Sequence, residues 1–241
     1  MRIIRIPKLE PEEHFDKEVF LNIYTIIDSQ SLFDDLDLPD SDLPVLFAWD
    51  NESSQIDHKQ PKKNRVFQYS EITTSMAVFE GINWPKSRFT DGTFGVWYGA
   101  LDRDTSIHET LYWCIWFARD DLKKSAQPII NERVLFAVNV KTDRSVNLCN
   151  QITEFPDLVS VTDYSLCQLI GSTCHKSGVE VVQSNSARFN EGVCVPVFSP
   201  NAIAYEKKIS FLKYELKKNG KAIVSTIDNQ VIEIPESWGF Q

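Results

Sequence analysis

Arg88, Tyr98 and Glu109 fall at steps of ten and eleven in WPKSRFTDGTFGVWYGALDRDTSIHETLYW, residues 84–113. With Ser186 far downstream, they are the side chains whose types could do chemistry together. An arginine can grip a phosphate or carboxylate through two parallel hydrogen bonds. A carboxylate can stabilise a developing positive charge. A tyrosine offers a flat face, and a serine hydroxyl offers a hydrogen bond. Arg188, two residues past Ser186, is a second candidate ligand for phosphate.

Each of these residues also has a plainer role open to it. Arg88 could be a surface arginine, although Trp84, Pro85, Phe89 and an Asp91-Gly92 turn surround it. Tyr98 sits on a β-rich run where core packing is the default. Ser106 and Glu109 have the spacing of a capping box, serine at the N-cap and glutamate three residues on. Ser186 lies in a small polar loop, SNSARFNEG.

Other chemistries are excluded by what is missing. His108-Glu109 opens like a zinc-protease helix, but Tyr112 stands where the second histidine must be. Neighbours in a helix do not face each other, so Cys174-His175 is not a catalytic pair. Neither GxGxxG nor GxxxxGK[ST] occurs. The acidic stretch 28–44 lacks the central glycine and closing glutamate of a calcium loop, so no metal is expected.

The elements that must position these groups read as α+β. VFLNIYTIID (19–28) suits a short helix or a strand. VFQYSEI (66–72) and FGVWYGAL (94–101) read as strands. A helix is expected from Thr105-Ser106 to about Arg119, apolar nearly all round and therefore buried. A strand follows near 133–140, then a loop-rich stretch over 146–160. Residues 164–178 read as a helix stopped by Gly178. Residues 179–200 read as strand, polar loop, strand, with Ser186 in the loop. Asn219-Gly220 between alternating runs predicts a hairpin. The polar run 50–64 reads as a loop or linker.

Composition narrows the classes. The chain has 241 residues, 42% hydrophobic and 12% aromatic, enough for one large core. A net charge of −9 argues against direct contact with nucleic acid or an anionic membrane. No apolar run approaches the ~20 residues of a membrane span. The opening MRIIRIPKLEPEE has no apolar core of a signal peptide. Five scattered cysteines fit free thiols in a reducing, cytoplasmic compartment.

Taken together, SRFTDG, VWYGAL, SIHETLYW and GVEVVQSNSARFNEGVCVPVFSP resemble the RES domain, named for its Arg, Glu and Ser. The resemblance covers about residues 66–205. The family's arginine falls on Arg88, its tyrosine on Tyr98, its glutamate on Glu109 and its serine on Ser186. Where the family usually opens Gly-Arg-Trp/Phe-Asn, this chain has Ser87-Arg88-Phe89-Thr90. Residues 1–65 then stand as an N-terminal extension of unknown role, a lid or an oligomerisation element. Residues 206–241 stand as a C-terminal hairpin closing the domain.

The resemblance implies an ADP-ribosyltransferase/diphtheria-toxin-like fold acting on NAD⁺ as substrate, without a metal. It implies a bacterial toxin that depletes NAD⁺ by hydrolysis or phosphorolysis and is neutralised by an Xre-type helix-turn-helix antitoxin. Arg88, Glu109 and Ser186 would carry the catalysis, and Arg88, Tyr98 and Arg188 would hold NAD⁺. Two alternatives stay open: a protein mono-ADP-ribosyltransferase on the same site, and a silent binding module in which Arg88 and Glu109 form a structural ion pair. A homo-oligomer also stays open.

Overall fold

The computed structural model describes residues 5–12, 14–24, 78–80, 84–218, 221–226 and 231–234. The chain divides into a compact unit of Met1–Thr25 with Ser70–Gln241, and a second unit, Ile26–Tyr69. Every element below belongs to the first. The acidic stretch 28–44, the polar run 50–64, the expected strand 66–72 and the Asn219-Gly220 turn lie outside the described residues.

Ten strands form one mixed sheet among the described residues. They are β1 (Pro11–Glu12), β2 (Phe15–Tyr24), β3 (Trp97–Ala100), β4 (Ile129–Thr142), β5 (Ser145–Asn147), β6 (Val181–Asn185), β7 (Val193–Val197), β8 (Ile203–Leu216), β9 (Ala222–Thr226) and β10 (Val231–Ile234). Their order is β1-β5-β6-β7-β3-β2-β4-β8-β9-β10. Only the β5–β6 pairing is parallel. The helices α1 (Arg103–Lys124) and α2 (Ser165–Lys176), with the sheet, give an α+β architecture among the described residues.

β2 comes from the segment read as an N-terminal extension, yet it lies inside the sheet, between β3 and β4. Phe15, Val19 and Leu21 are buried, while Asp16, Lys17 and Glu18 are exposed. Fully burying each such side chain is worth roughly 1.5–3 kcal/mol, so this strand is a working part of the core. At the other end, β8 pairs with β4 along nearly its whole length before turning into β9. That pairing makes the C-terminal segment half of the sheet's long arm.

Register settles which face each residue takes, since side chains alternate along a strand. Phe20 pairs with Ala100 and with Ala137; Ala100 pairs with Cys194, and Cys194 with Ser184. These residues therefore share one face, together with Asn22, Leu135, Tyr98 and Val182. On this face α1 buries Ile107, Leu111, Ile115 and Leu122 against Leu135, Leu212 and Val224. On the same face α2 buries Leu166, Ile170 and Cys174 against Val146, Val182 and Phe94. The opposite face carries a separate apolar layer of Val19, Leu21, Trp97, Val138, Val195 and Val197. Both helices thus stand over the same face of the sheet.

Two local expectations need correction. α1 is not buried all round: Trp113, Trp116 and Phe117 are 37%, 40% and 71% exposed. Nor does Ser106 cap it. Asp102 is the N-cap, its carboxylate accepting from Thr105 N at 2.7 Å and from Thr105 Oγ1 at 2.6 Å. The helix begins a turn earlier than the capping-box spacing suggests, so Ser106 is buried inside the first turn. Glu109 is thereby left with no capping duty.

Other expectations hold with shifted ends. The strand near 133–140 runs from Ile129 to Thr142. The helix near 164–178 ends at Lys176, and Gly178 takes φ 77° while Val179 N bonds Cys174 O at 3.0 Å. That is the left-handed stop for which glycine is suited. The loop-rich stretch 146–160 carries two single-turn helices, Cys149–Gln151 and Pro156–Val159.

Candidate active site

Arg88 rides on a four-residue turn, Ser87–Thr90, closed by Ser87 N to Thr90 O at 3.0 Å. Phe89 anchors the turn by full burial between the sheet and α2. Tyr98 pins it from below: its hydroxyl accepts from Phe89 N at 2.9 Å and bonds Ser87 Oγ at 2.7 Å. Gln168 on α2 donates to Ser87 O at 3.0 Å. Burial pushes the Tyr98 phenol up, so it stays protonated as a structural post.

Glu109 projects from α1 toward the end of β6. Ser186 Oγ donates to Glu109 Oε1 at 2.5 Å. The same Oγ accepts the backbone N–H groups of Arg188 and Phe189, each at 3.0 Å. Because those donors occupy its lone pairs, the serine proton points at the carboxylate. Cys194 Sγ on β7 donates to the same Oε1 at 3.4 Å. Burial first, and then the Glu109 carboxylate, push the Cys194 thiol well above its ordinary range, so it remains a donor. Glu109 Oε2 accepts no hydrogen bond among the described residues, which leaves it for a ligand.

The two arginines converge on Tyr164, the residue before α2. Arg88 stacks 4.6 Å above the Tyr164 ring, and its Nη1 donates to Ser160 O at 2.9 Å and Leu158 O at 3.2 Å. Arg188 donates through Nη2 to the Tyr164 hydroxyl at 3.2 Å and to Val161 O at 3.0 Å. Its guanidinium lies 3.6 Å from the Tyr112 ring centroid. Arg188 is only 8% exposed, and its buried Nε has no partner among the described residues. The neighbouring Asn185 Oδ1 is also buried without one. Buried polar atoms are rarely left so. Arg88 lies near enough that its charge opposes ionisation penalties at both Tyr98 and Cys194.

The structure thus brings Ser186 directly onto Glu109 and sets Arg88 and Arg188 around one tyrosine. Tyr98 stands apart in role, since its hydroxyl is spent on the Arg88 turn. Among the described residues Arg88 and Glu109 form no ion pair. Tyr112, Tyr164 and Cys194 are site residues that sequence spacing did not single out. Tyr112 was within reach, three residues from Glu109 and so on the same helix face. Tyr164 and Cys194 carry no local signal.

Two further observations concern the described residues alone. No group of three or more His, Cys, Asp or Glu side chains could hold a metal. No helix is long and apolar enough to cross a membrane.

The RES domain model matches residues 63–217, well over half of the chain, and the protein belongs to that family. Among solved structures it is similar to a chain of the Mycobacterium tuberculosis MbcT–MbcA toxin–antitoxin complex. The likeness is at 12% identity and a TM-score of 0.45, over 81% of this chain and 85% of that one. No curated protein matches the chain.

Proposed function

We propose that this RES protein cleaves the nicotinamide–ribose bond of NAD⁺, with Glu109 beside the reacting sugar. The observation that supports this reading best is the Ser186–Glu109 bond, which fixes one carboxylate oxygen while the other accepts no hydrogen bond among the described residues. Family membership supports it too, and the paired arginines are consistent with it.

The chemistry follows from the charges. Nicotinamide in NAD⁺ is a pyridinium. When its C–N bond breaks, the bonding pair stays on nicotinamide nitrogen and the ring departs neutral. The positive charge passes to the sugar, which becomes oxocarbenium-like. Glu109 Oε2, held toward the sugar by the grip on Oε1, stabilises that charge as it develops. Water or phosphate then adds its oxygen to C1 and gives up a proton, for which the Glu109 carboxylate is the nearest acceptor. A departing neutral ring needs no general acid.

Arg88 and Arg188 hold the pyrophosphate. Rigid stacking on Tyr164 and Tyr112 means that little side-chain freedom is lost on binding. Ser186 acts through Glu109, and Tyr98 acts through the Arg88 turn. An antitoxin that covers this cleft is the partner the family resemblance supports, and the chain then behaves as the toxin of such a pair.

The test is NAD⁺ consumption by the purified chain, with and without phosphate, with products identified by mass. ADP-ribose indicates hydrolysis, and ADP-ribose-1″-phosphate indicates phosphorolysis. Glu109→Gln should lose at least about a hundredfold in turnover while remaining folded. Unchanged turnover in a folded Glu109→Gln protein sinks the proposal. Label carried from NAD⁺ onto a protein, with no small-molecule product, would replace it with the transferase reading.

A further inference from the structure

A second groove opens beside α1, and Glu109 is not among the residues that line it. Its volume is about 480 Å³, and Tyr24, Thr110, Trp113, Cys114, Phe117, Asp121 and Arg133 are among the residues that line it. Arg88, Glu109, Ser186 and Arg188 are not among its lining residues, so the groove and the candidate active site share none of them.

Arg133 is the unusual feature here. It sits on β4 directly across from Tyr24 on β2 and is only 9% exposed. Its Nε donates to Asn22 Oδ1 at 2.7 Å and its Nη2 to Asn22 O at 2.8 Å. Among the described residues its Nη1 reaches only the Cys114 sulfur, at 3.6 Å. Those partners fix the guanidinium plane but are all neutral. Asp121 lines the same groove, yet no carboxylate among the described residues pairs with Arg133. A nearly buried cation normally has a countercharge.

The guanidinium is held from behind with unusual care. Asn22 Nδ2 donates to the Tyr214 hydroxyl at 2.7 Å. Tyr214 in turn bonds Thr110 Oγ1 at 2.9 Å. Thr110 gives its single proton to the helix carbonyls of Ser106 and Ile107, so Tyr214 must be the donor to Thr110. Each polar atom in the chain Arg133–Asn22–Tyr214–Thr110 therefore has one assigned direction. The end left over is the Nη1 edge at the groove. Above it stand the exposed rings of Trp113, Phe117 and Tyr24.

We propose that this groove is a second ligand site, for a flat ring carrying one anionic group. The anion meets Arg133 Nη1, and the ring lies among Trp113, Phe117 and Tyr24. A ring amine or hydroxyl reaches Asp121. A nucleoside monophosphate and an aryl carboxylate share this chemistry, and the volume admits either.

The experiment titrates the full chain with adenosine monophosphate and, separately, with 4-hydroxybenzoate, by calorimetry and by tryptophan fluorescence. At least one probe should bind with a fluorescence change, and whichever binds names the source. Phe117→Asp, at an exposed position that tolerates change, should weaken that binding at least tenfold by setting a carboxylate against the anion. Arg133→Gln should do the same where it folds. Arg88→Ala, in the other site, should leave the binding intact. Three results each overturn the proposal: neither probe binds, binding survives Phe117→Asp, or binding is lost in Arg88→Ala.

Discussion

Ser186 Oγ lies 2.5 Å from Glu109 Oε1, joining the loop after β6 to the middle of α1 across 77 positions of sequence. The serine hydroxyl is fixed by two backbone donors, so the bond has one direction only. On this geometry Ser186 is a positioning residue. Ser186→Ala should lower kcat far more than it raises KM. A hydrogen bond to a charged group is worth about 1.5–3 kcal/mol, which predicts a loss of roughly ten- to a hundredfold. Steady-state kinetics on NAD⁺ checks it; a KM effect alone would place Ser186 on the substrate instead.

Tyr164 serves two arginines with two different parts. Its ring stacks under Arg88 and its hydroxyl accepts from Arg188. Tyr164→Phe keeps the first and removes the second. A several-fold rise in KM for NAD⁺ with kcat little changed is expected. Tyr164→Ala, which removes both, should cost more than Tyr164→Phe, and equal effects would contradict the shared role.

Gly171 on α2 packs its bare α-carbon against the turn that carries Arg88. A Cβ there would lie 1.9 Å from Phe89 O. Alanine would gain about 1 kcal/mol of helix propensity. Forcing backbones apart in a packed core costs about 1–3 kcal/mol, and here the blocking atom is backbone. The clash wins, so Gly171→Ala should lower Tm by a few degrees and reduce activity by moving Arg88. A stabilised, fully active Gly171→Ala protein would show that the turn is not held this tightly.

Alkaline pH should unfold the protein through buried phenols. Burial pushes Tyr214 from 10.0 up to about 12. The folded state therefore holds this proton more tightly than the unfolded chain does. The contribution of this group is whole below pH 10 and is lost between pH 10 and about 12. The slope from this group is about 1.4 kcal/mol per pH unit. Urea midpoints across that range measure it, and Tyr214→Phe should flatten the slope at the cost of the bonds to Asn22 and Thr110. An unchanged slope in Tyr214→Phe would assign the loss to other groups, such as the buried Cys174 thiol, itself pushed up to about 11.

Much of this protein is set by local pattern. The ten-and-eleven spacing of Arg88, Tyr98 and Glu109 and the loop around Ser186 carry the RES family by themselves. The strand–loop–strand around Ser186, the long β4 and the glycine stop after α2 also follow from short-range chemistry: alternation, turn residues and the left-handed freedom of glycine. What the tertiary structure alone decided depends on register between distant strands. The parity of Phe20, Ala100, Cys194 and Ser184 puts α1 and α2 on one face, which is why Glu109 and Ser186 meet. The placing of β2 inside the sheet, of Cys194 under Glu109, of Tyr98 under the Arg88 turn and of Tyr164 between two arginines follows from that packing. The capping spacing at Ser106 misled because Asp102, four residues earlier, offered a charged cap to the same helix. No window of sequence contains such pairings, since side chains more than a hundred residues apart, such as Asn22 and Arg133, become neighbours only when strands align.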